Sequence, residues 1–512
     1  MAPRLGERSA GILVHPTSLP GPHGCGDIGA TARAWIDFSA SAAQSWWQML
    51  PVGPLGYGNS PYSAQSAFAG NPLLVALDPL VERGWIDARM LGTASLPRAR
   101  VDYPATHLFR MSCLREAAAR FFARRDRDER RSFDAFVERE RAWLDGFALF
   151  RAIKRAHDDV EWTRWPAPLR DRNADALARA SHDLADEIAF EKLVQWIFDE
   201  QWRTLRAHAA ARDVGLVGDV PIVVAHDSAD VWEHRELFFL DDEGAPTYVA
   251  GVPPDYFSRT GQRWGNPLYR WRTLKRSGYD WWVRRMRSTL TRFDVARLDH
   301  FIGFQRYWRI PAREPNAVNG KWMKGPGADL FSVLERELGG LPLIAEDLGA
   351  ITPSVKRLRD RLGLPGIRVL QFAFGTDPSA PDFLPHNHPR RAVVYTGTHD
   401  NDTTLGWFHD RGGEGARSPE QTEIERRAAM RYLGVRDAHE IHWDMIRAAY
   451  ASVARTAIVP LQDVLGLGSE ARMNHPGTLA GNWEWRFAAS DLTPAIAERL
   501  ADLARTYGRR RA

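Results

Sequence analysis

Cysteine is nearly absent. Only Cys25 and Cys113 occur in 512 residues, too few for a disulfide framework or a four-thiolate zinc site, and suited to a reducing compartment. No run approaches the roughly 18 consecutive apolar residues of a bilayer-spanning helix. The N-terminal apolar stretch ends at His15 and Pro16, short of the apolar core of about 7 to 15 residues in a signal peptide. A cytoplasmic chain with no membrane partner is therefore expected. An excess of one charge is also missing: 68 Lys and Arg against 64 Asp and Glu leave a net charge of +4, which over this length makes no field for a polyanion. Nucleic acid is not an expected partner. There is no internal repeat, no low-complexity tract, no GxSxG elbow, no HExxH and no CxxC, so neither a metal, an organic cofactor nor an obligate protein partner is inferred.

What is present is an ordinary folded composition, 44% hydrophobic and 26% charged, with 20 tryptophans. Indole faces serve as core filler and as platforms for the apolar faces of sugars. Eight short β-branched or apolar runs, each ending in polar, Gly or Pro residues, recur with helical material between them: 11–16, 46–54, 216–224, 293–300, 341–349, 366–374, 392–400 and 456–466. Eight β-α units close into a (β/α)8 TIM barrel, with catalytic groups at the C-terminal ends of the strands. The uneven gaps divide the chain. Strands one and two fall in 1–79, a mostly helical insertion in 80–211, strand three in 212–224, an irregular insertion in 225–279, and strands four to eight with a closing helix in 280–512. The remainder after strand eight leaves no room for a C-terminal β-sandwich, and the RRRA tail reads as a solvated end.

Three acids end neighbouring strands: Asp299 in Ala-Arg-Leu-Asp-His, Glu346 in Ala-Glu-Asp-Leu-Gly and Asp400 in Thr-His-Asp-Asn. Two facing carboxyls suit a retaining glycosidic mechanism, one as nucleophile and the other as proton donor and later base, while the third binds sugar hydroxyls. Arg297 lies two residues before Asp299, so on a strand both side chains face the same side, and a fixed cation there favours an ionised nucleophile. The adjacent pair His399 and Asp400 is best used in hydroxyl recognition. Other uses of the same residues are a non-catalytic glucan-binding protein, which has no need of all three acids, and a barrel enzyme that spends them on Mg²⁺.

With these motifs the chain resembles the amylomaltase family, the 4-α-glucanotransferases related to α-amylases. The resemblance extends to GILVHPTSLPGPHGCGDIG at 11–29, YGNSPYSAQSAFAGNP at 57–72, GDVPIVVAHDSADVW at 218–232, AGVPPDYFSRTGQRWGNPLY at 250–269, GKWMKGPGADLF at 320–331 and LGLGSEARMNHPG at 465–477. It implies transfer of α-1,4-glucan segments to the 4-hydroxyl of glucose or another glucan, with an α-amylase-like hydrolase as the alternative. By resemblance, Asp299 is the nucleophile, Glu346 the general acid/base and Asp400 the transition-state stabiliser. Arg297 and His399 flank the donor sugar, Ser60 and Tyr62 contact it, and Asp219 supports the arginine. Gln262 and Trp264 border the acceptor side, where the 225–279 insertion, through VPPDYFSRTGQRWG, forms an apolar wall. Asn474 is a further contact, and Tyr57 and Tyr103 are candidates for secondary glucan binding. Where many members read DHFRG this chain reads DHFIG, with Ile302 in place of an arginine.

Overall fold

The computed structural model describes residues 5–93, 95–124, 126–254, 258–349, 351–413 and 417–509. Twelve strands form among them: β1 (Ser9–Leu13), β2 (Trp46–Gln48), β3 (Gly215–Val220), β4 (Tyr248–Val252), β5 (Gln262–Pro267), β6 (Val295–Leu298), β7 (Arg306–Pro311), β8 (Lys321–Lys324), β9 (Leu343–Ala345), β10 (Gly366–Val369), β11 (Ala392–Tyr395) and β12 (Thr456–Pro460). Eight of them close a barrel in the order β1-β12-β11-β10-β9-β6-β3-β2, with every pair parallel. This is a TIM barrel, and each of the eight sequence runs overlaps one of its strands, with β1 and β3 starting one or two residues earlier than expected. All eight are buried along their whole length, because a parallel sheet wrapped in helices has no solvent face, and they are mostly apolar, with Gln48, Asp219, Arg297 and Arg368 among the polar or charged side chains within them. In β3, a Cβ on Gly218 would lie 2.4 Å from the Phe293 ring. The missing side chain lets β3 and β6 close up beside Asp219.

The 80–211 stretch carries long helices at Tyr103–Ala123, Arg127–Ala156 and Ala185–Ala211. Arg127–Ala156 is capped by Asp126, whose carboxylate accepts the N–H groups of Asp128 and Glu129. Ala185–Ala211 leads into β3, and its Trp202 indole N–H donates to the Arg292 carbonyl at 3.0 Å.

The 225–279 stretch is more ordered than its Gly, Pro and aromatic content suggests. It supplies β4 and β5, which join β7 and β8 in an antiparallel sheet of order β5-β4-β7-β8. That sheet draws strands from both sides of the barrel strand that carries Asp299. β7 and β8, RYWRIP and KWMK, are mostly half-exposed and lack the apolar run of a buried strand. Arg306 lies 3.7 Å over the Trp322 ring, joining them through a cation-aromatic contact. Asp255, Tyr256 and Phe257, part of the expected apolar wall, lie outside the described residues.

The basic tail differs from expectation. Arg509 is fully buried at the end of the chain, after the closing helix Pro494–Thr506. Its guanidinium donates to the carbonyls of Ser9, Ala449, Tyr450, Ser452, Ala454 and Arg455. A guanidinium offers five N–H donors and no acceptor, so it suits a place where helix and strand ends crowd their carbonyls together, and Arg8 donates to three of the same groups, those of Tyr450, Ser452 and Ala454. Residues 510–512 lie outside the described chain.

Candidate active site

Strand register builds the site. Asp219 of β3 is the direct neighbour of Arg297 of β6, and Arg297 Nη1 donates to both Asp219 oxygens at 2.9 and 2.7 Å and to Asp299 Oδ1 at 3.0 Å. Burial works against the guanidinium's charge, but Asp219 and Asp299 outweigh it and raise its pKa well above the ordinary value. The cation is permanent. It leaves Asp299 with a fixed orientation and a partly exposed carboxylate.

A second line of bonds runs from Asp219 to the other side of the barrel. The Tyr62 hydroxyl donates to Asp219 Oδ2 at 2.9 Å and lies 2.8 Å from His399 Nε2. A phenol has one proton. With it given to Asp219, His399 must donate through Nε2–H, which fixes the imidazole tautomer. Burial and then Asp219 push the Tyr62 pKa well above its usual value, so the proton stays on the phenol. The Tyr62 and His399 rings stack at 5.2 Å, with Trp483 about equally close to both, at 5.9 and 6.1 Å. Ser60 accepts the Tyr62 N–H at 3.2 Å and so caps the short Pro61–Ser63 turn that presents the tyrosine.

Asp400 sits five residues beyond β11, in a turn, and is nearly half exposed. Its Oδ2 is 3.5 Å from His399 Nε2, and its Oδ1 accepts the Asn474 side-chain N–H at 2.6 Å. Arg472, two residues before Asn474, donates to the Asp400 carbonyl at 2.7 Å. Hydrogen bonds therefore run from His399 through Tyr62, Asp219 and Arg297 to Asp299, and Asp400, bonded to Asn474, approaches the same His399 nitrogen at 3.5 Å.

Glu346, at the end of β9, is different. It is buried, and Oε2 accepts the His300 N–H at 2.7 Å while Oε1 accepts the Leu348 N–H at 2.9 Å. Burial raises its pKa to about 7; Arg297 and the two N–H donors pull it down, and Asp299 adds to the rise. Such a carboxyl holds and releases a proton near neutrality. Gln262 and Trp264 stand on one face of β5, where the indole N–H donates to Gln262 Oε1 at 3.0 Å. Trp264 is among the exposed large apolar side chains, whereas Trp35, Trp46, Trp47 and Trp282 are fully buried core. The Trp264 ring meets the His300 ring edge-on at 4.9 Å, which puts the β5 face next to the nucleophile.

Tyr103 is corrected: it is 5% exposed and its hydroxyl donates to the Trp483 carbonyl at 2.8 Å, a core anchor and not a glucan platform. Tyr57 is 76% exposed. Ile302 is buried in an apolar cluster. Sequence reasoning missed His300, Arg472 and Trp483. Arg472 was findable, since it belongs to the same ARMN stretch as Asn474; the others act through backbone or ring placement, which residue type does not announce. Among the described residues no group of three His, Cys, Asp or Glu side chains is placed to hold a metal ion.

A family model described as 4-alpha-glucanotransferase matches residues 14–492. The chain is similar to the 4-alpha-glucanotransferase of Thermus thermophilus, at 50% identity over 499 residues, 97% of this chain and 98% of the relative. It is similar also to that of Synechocystis sp., at 46% identity over 510 residues, 99% of each chain. Among solved structures it is similar to an amylomaltase from Streptococcus agalactiae in complex with acarbose, with a TM-score of 0.94 and 35% identity, covering 99% of this chain and 100% of that one.

Proposed function

This chain belongs to the 4-alpha-glucanotransferase family, and from that premise we propose that Asp299, Glu346 and Asp400 carry its reaction. The protein is a glycosyltransferase acting on α-1,4-glucans. In the first step Glu346 gives its proton to the glycosidic oxygen as an Asp299 oxygen attacks C1; the C1–O bond breaks and the departing chain leaves with a free 4-hydroxyl. In the second, the 4-hydroxyl of glucose or another glucan loses its proton to Glu346 and attacks C1, and the ester to Asp299 breaks. Two inversions give net retention.

The observation that carries this reading is the contrast between the two carboxyls. Asp299 faces a permanent guanidinium at 3.0 Å, while Glu346 is buried and pushed up to about 7, the pairing that separates nucleophile from acid. Asp400, tied to His399 and Asn474, is placed to bind donor hydroxyls. Arg297, Tyr62, Asp219 and His399 hold the donor sugar and the nucleophile, with Ser60 shaping the Tyr62 turn. Gln262 and Trp264 form the acceptor border. Substrates are α-1,4-glucans and maltooligosaccharides, with glucose as an acceptor. The division of the chain into barrel, helical insertion and acceptor-side insertion follows the same reading. Both thiols are free and buried, and no helix among the described residues is long and apolar enough to cross a membrane; both facts support a cytoplasmic location.

The test is to incubate the pure protein with maltotriose. A ladder of longer maltooligosaccharides with released glucose is expected, and Asp299→Ala should abolish it while leaving the fold intact. Glucose and maltose alone would make the enzyme a hydrolase.

A further inference from the structure

His15 follows β1 and opens the short turn Pro16–Ser18. Its side chain is buried, 2% exposed, yet neither Nδ1 nor Nε2 has a hydrogen-bond partner among the described residues. Buried polar groups are normally paired, and two unpaired atoms on one ring require an account. The ring lines a cavity of about 20 Å³ together with Thr398, His399, Asp402, Gln462 and Arg472. That is room for one water, which needs roughly 10 to 15 Å³ and two to four polar neighbours. Burial, and then the nearby His399, hold the His15 pKa down to about 3. The ring is neutral, with one donor and one acceptor to offer.

His399 lines the same cavity. Its Nε2–H is committed to the Tyr62 hydroxyl, which leaves Nδ1 as the ring atom a water could meet. The turn 398–403, which carries Asp400, is held at its outer edge by Arg472 and Asn474 and forms a wall of the same cavity. We propose that His15 is a positioning residue of the transfer reaction, acting through one ordered water in this cavity to orient His399 and the turn that carries Asp400. His15 touches no reacting atom. Its effect passes through His399, and the inference rests on the assignment of His399 to the donor sugar. Misplacing a catalytic constellation by about 1 Å costs on the order of a hundredfold in rate, so loss of this anchor is read in turnover before it is read in folding.

The experiment compares His15→Phe, which keeps a ring and removes both nitrogens, with His15→Asn and His15→Gln, which return one polar atom. Maltotriose kinetics and melting temperature are measured for each, and wild type and His15→Phe are crystallised to a resolution that shows ordered water. The expected result is a kcat for His15→Phe about ten- to a hundredfold below wild type with KM and melting temperature little changed, and recovery of most of the rate in His15→Asn or His15→Gln. A water bonded to the His15 ring is expected in wild type and absent in His15→Phe. Full kcat in a folded His15→Phe overturns the proposal. So does a rate loss that follows the melting temperature with no rescue by either amide, or a dry cavity in wild type. If His15→Phe does not fold, the wild-type water and the amide variants decide. The crystallographic arm is independent of the reaction: a bound water in an enzyme that makes no maltooligosaccharide ladder leaves the anchor standing and removes the transferase assignment.

Discussion

The backbone N–H of His300 donates to Oε2 of Glu346 at 2.7 Å, so the residue that follows the nucleophile is bonded to the acid. His300 holds a φ of 52°, in the left-handed region that few non-glycine residues adopt and β-branched ones avoid. The bond favours the Glu346 carboxylate and so lowers its pKa, against burial. Replacing His300 by Val should disturb this backbone and weaken the bond, moving the alkaline limb of kcat/KM to higher pH. His300→Asn, which tolerates positive φ, should leave the limb close to that of wild type. The pH profiles of the three proteins check the point.

Glu346 makes the wild-type profile itself predictable. Its proton is needed in the first step, and with a pKa of about 7 the rate of glycosyl-enzyme formation should fall as pH rises through neutrality. The sign for stability follows. A carboxyl whose folded pKa lies above its unfolded value near 4.5 binds its proton more tightly in the native state, so wild type loses stability as pH rises from about 4.5 to 7. Glu346→Gln removes that loss. Its melting temperature should exceed that of wild type by more at pH 8 than at pH 5, while transfer falls by several orders of magnitude. Thermal melts at the two pH values measure it.

Tyr62 joins the Asp219 and His399 halves of the site with one hydroxyl. Tyr62→Phe keeps the stacked ring and removes the link that fixes the His399 tautomer. Turnover on maltotriose should drop about ten- to a hundredfold with the melting temperature little changed. A rate within twofold of wild type would remove the hydroxyl from the donor site.

Trp264 bears on the fate of the glycosyl-enzyme, which faces water at about 55 M and transfers only where the acceptor side binds sugar and excludes solvent. Trp264→Ala should lower total turnover and raise the hydrolytic fraction, measured as reducing ends against disproportionation products. An unchanged ratio would show that the indole only packs on His300 and Gln262.

Arg509 should dominate stability from the other end of the barrel. Arg509→Ala removes the side-chain donor to the buried Ala449 carbonyl, at about 1 to 3 kcal/mol for a group not reached by water, and leaves the carbonyls of Tyr450, Ser452 and Ala454 to Arg8 and that of Arg455 to the Ser9 N–H. The melting temperature should fall by several degrees while kcat at 25 °C is preserved. Differential scanning calorimetry with a parallel activity assay separates the two.

The legible parts of this molecule are those where residue type and local pattern carry the information. Barrel strands such as Leu343–Ala345 and Ala392–Tyr395 are apolar throughout because both faces are buried, and Asp299, Glu346 and Asp400 stand out as acids where such runs end. Arg509 is invisible by the same reasoning, since a basic tail is a solvated tail unless its carbonyl partners, far away in sequence, are known. Tyr103 is hidden likewise: one tyrosine reads as a platform or as an anchor until Trp483, distant along the chain, is placed against it. β7 and β8 were missed because half-exposed strands of alternating Arg, Lys and aromatic residues have no distinctive period over four to six positions.

The small antiparallel sheet beside the nucleophile also constrains how such an enzyme is remodelled. β4 and β5 come before Asp299 and β7 and β8 after it, and β4 pairs with β7, so the acceptor wall is not a cassette. Transplanting 225–279 alone would bring half a sheet and strip β7 of its partner. A donor and recipient must be exchanged from β4 through β8, and the nucleophile travels with them. Acceptor choice and the geometry of the attacking carboxylate are thereby inherited together, and recombination between relatives at points inside this span should yield far fewer active chimeras than crossovers outside it.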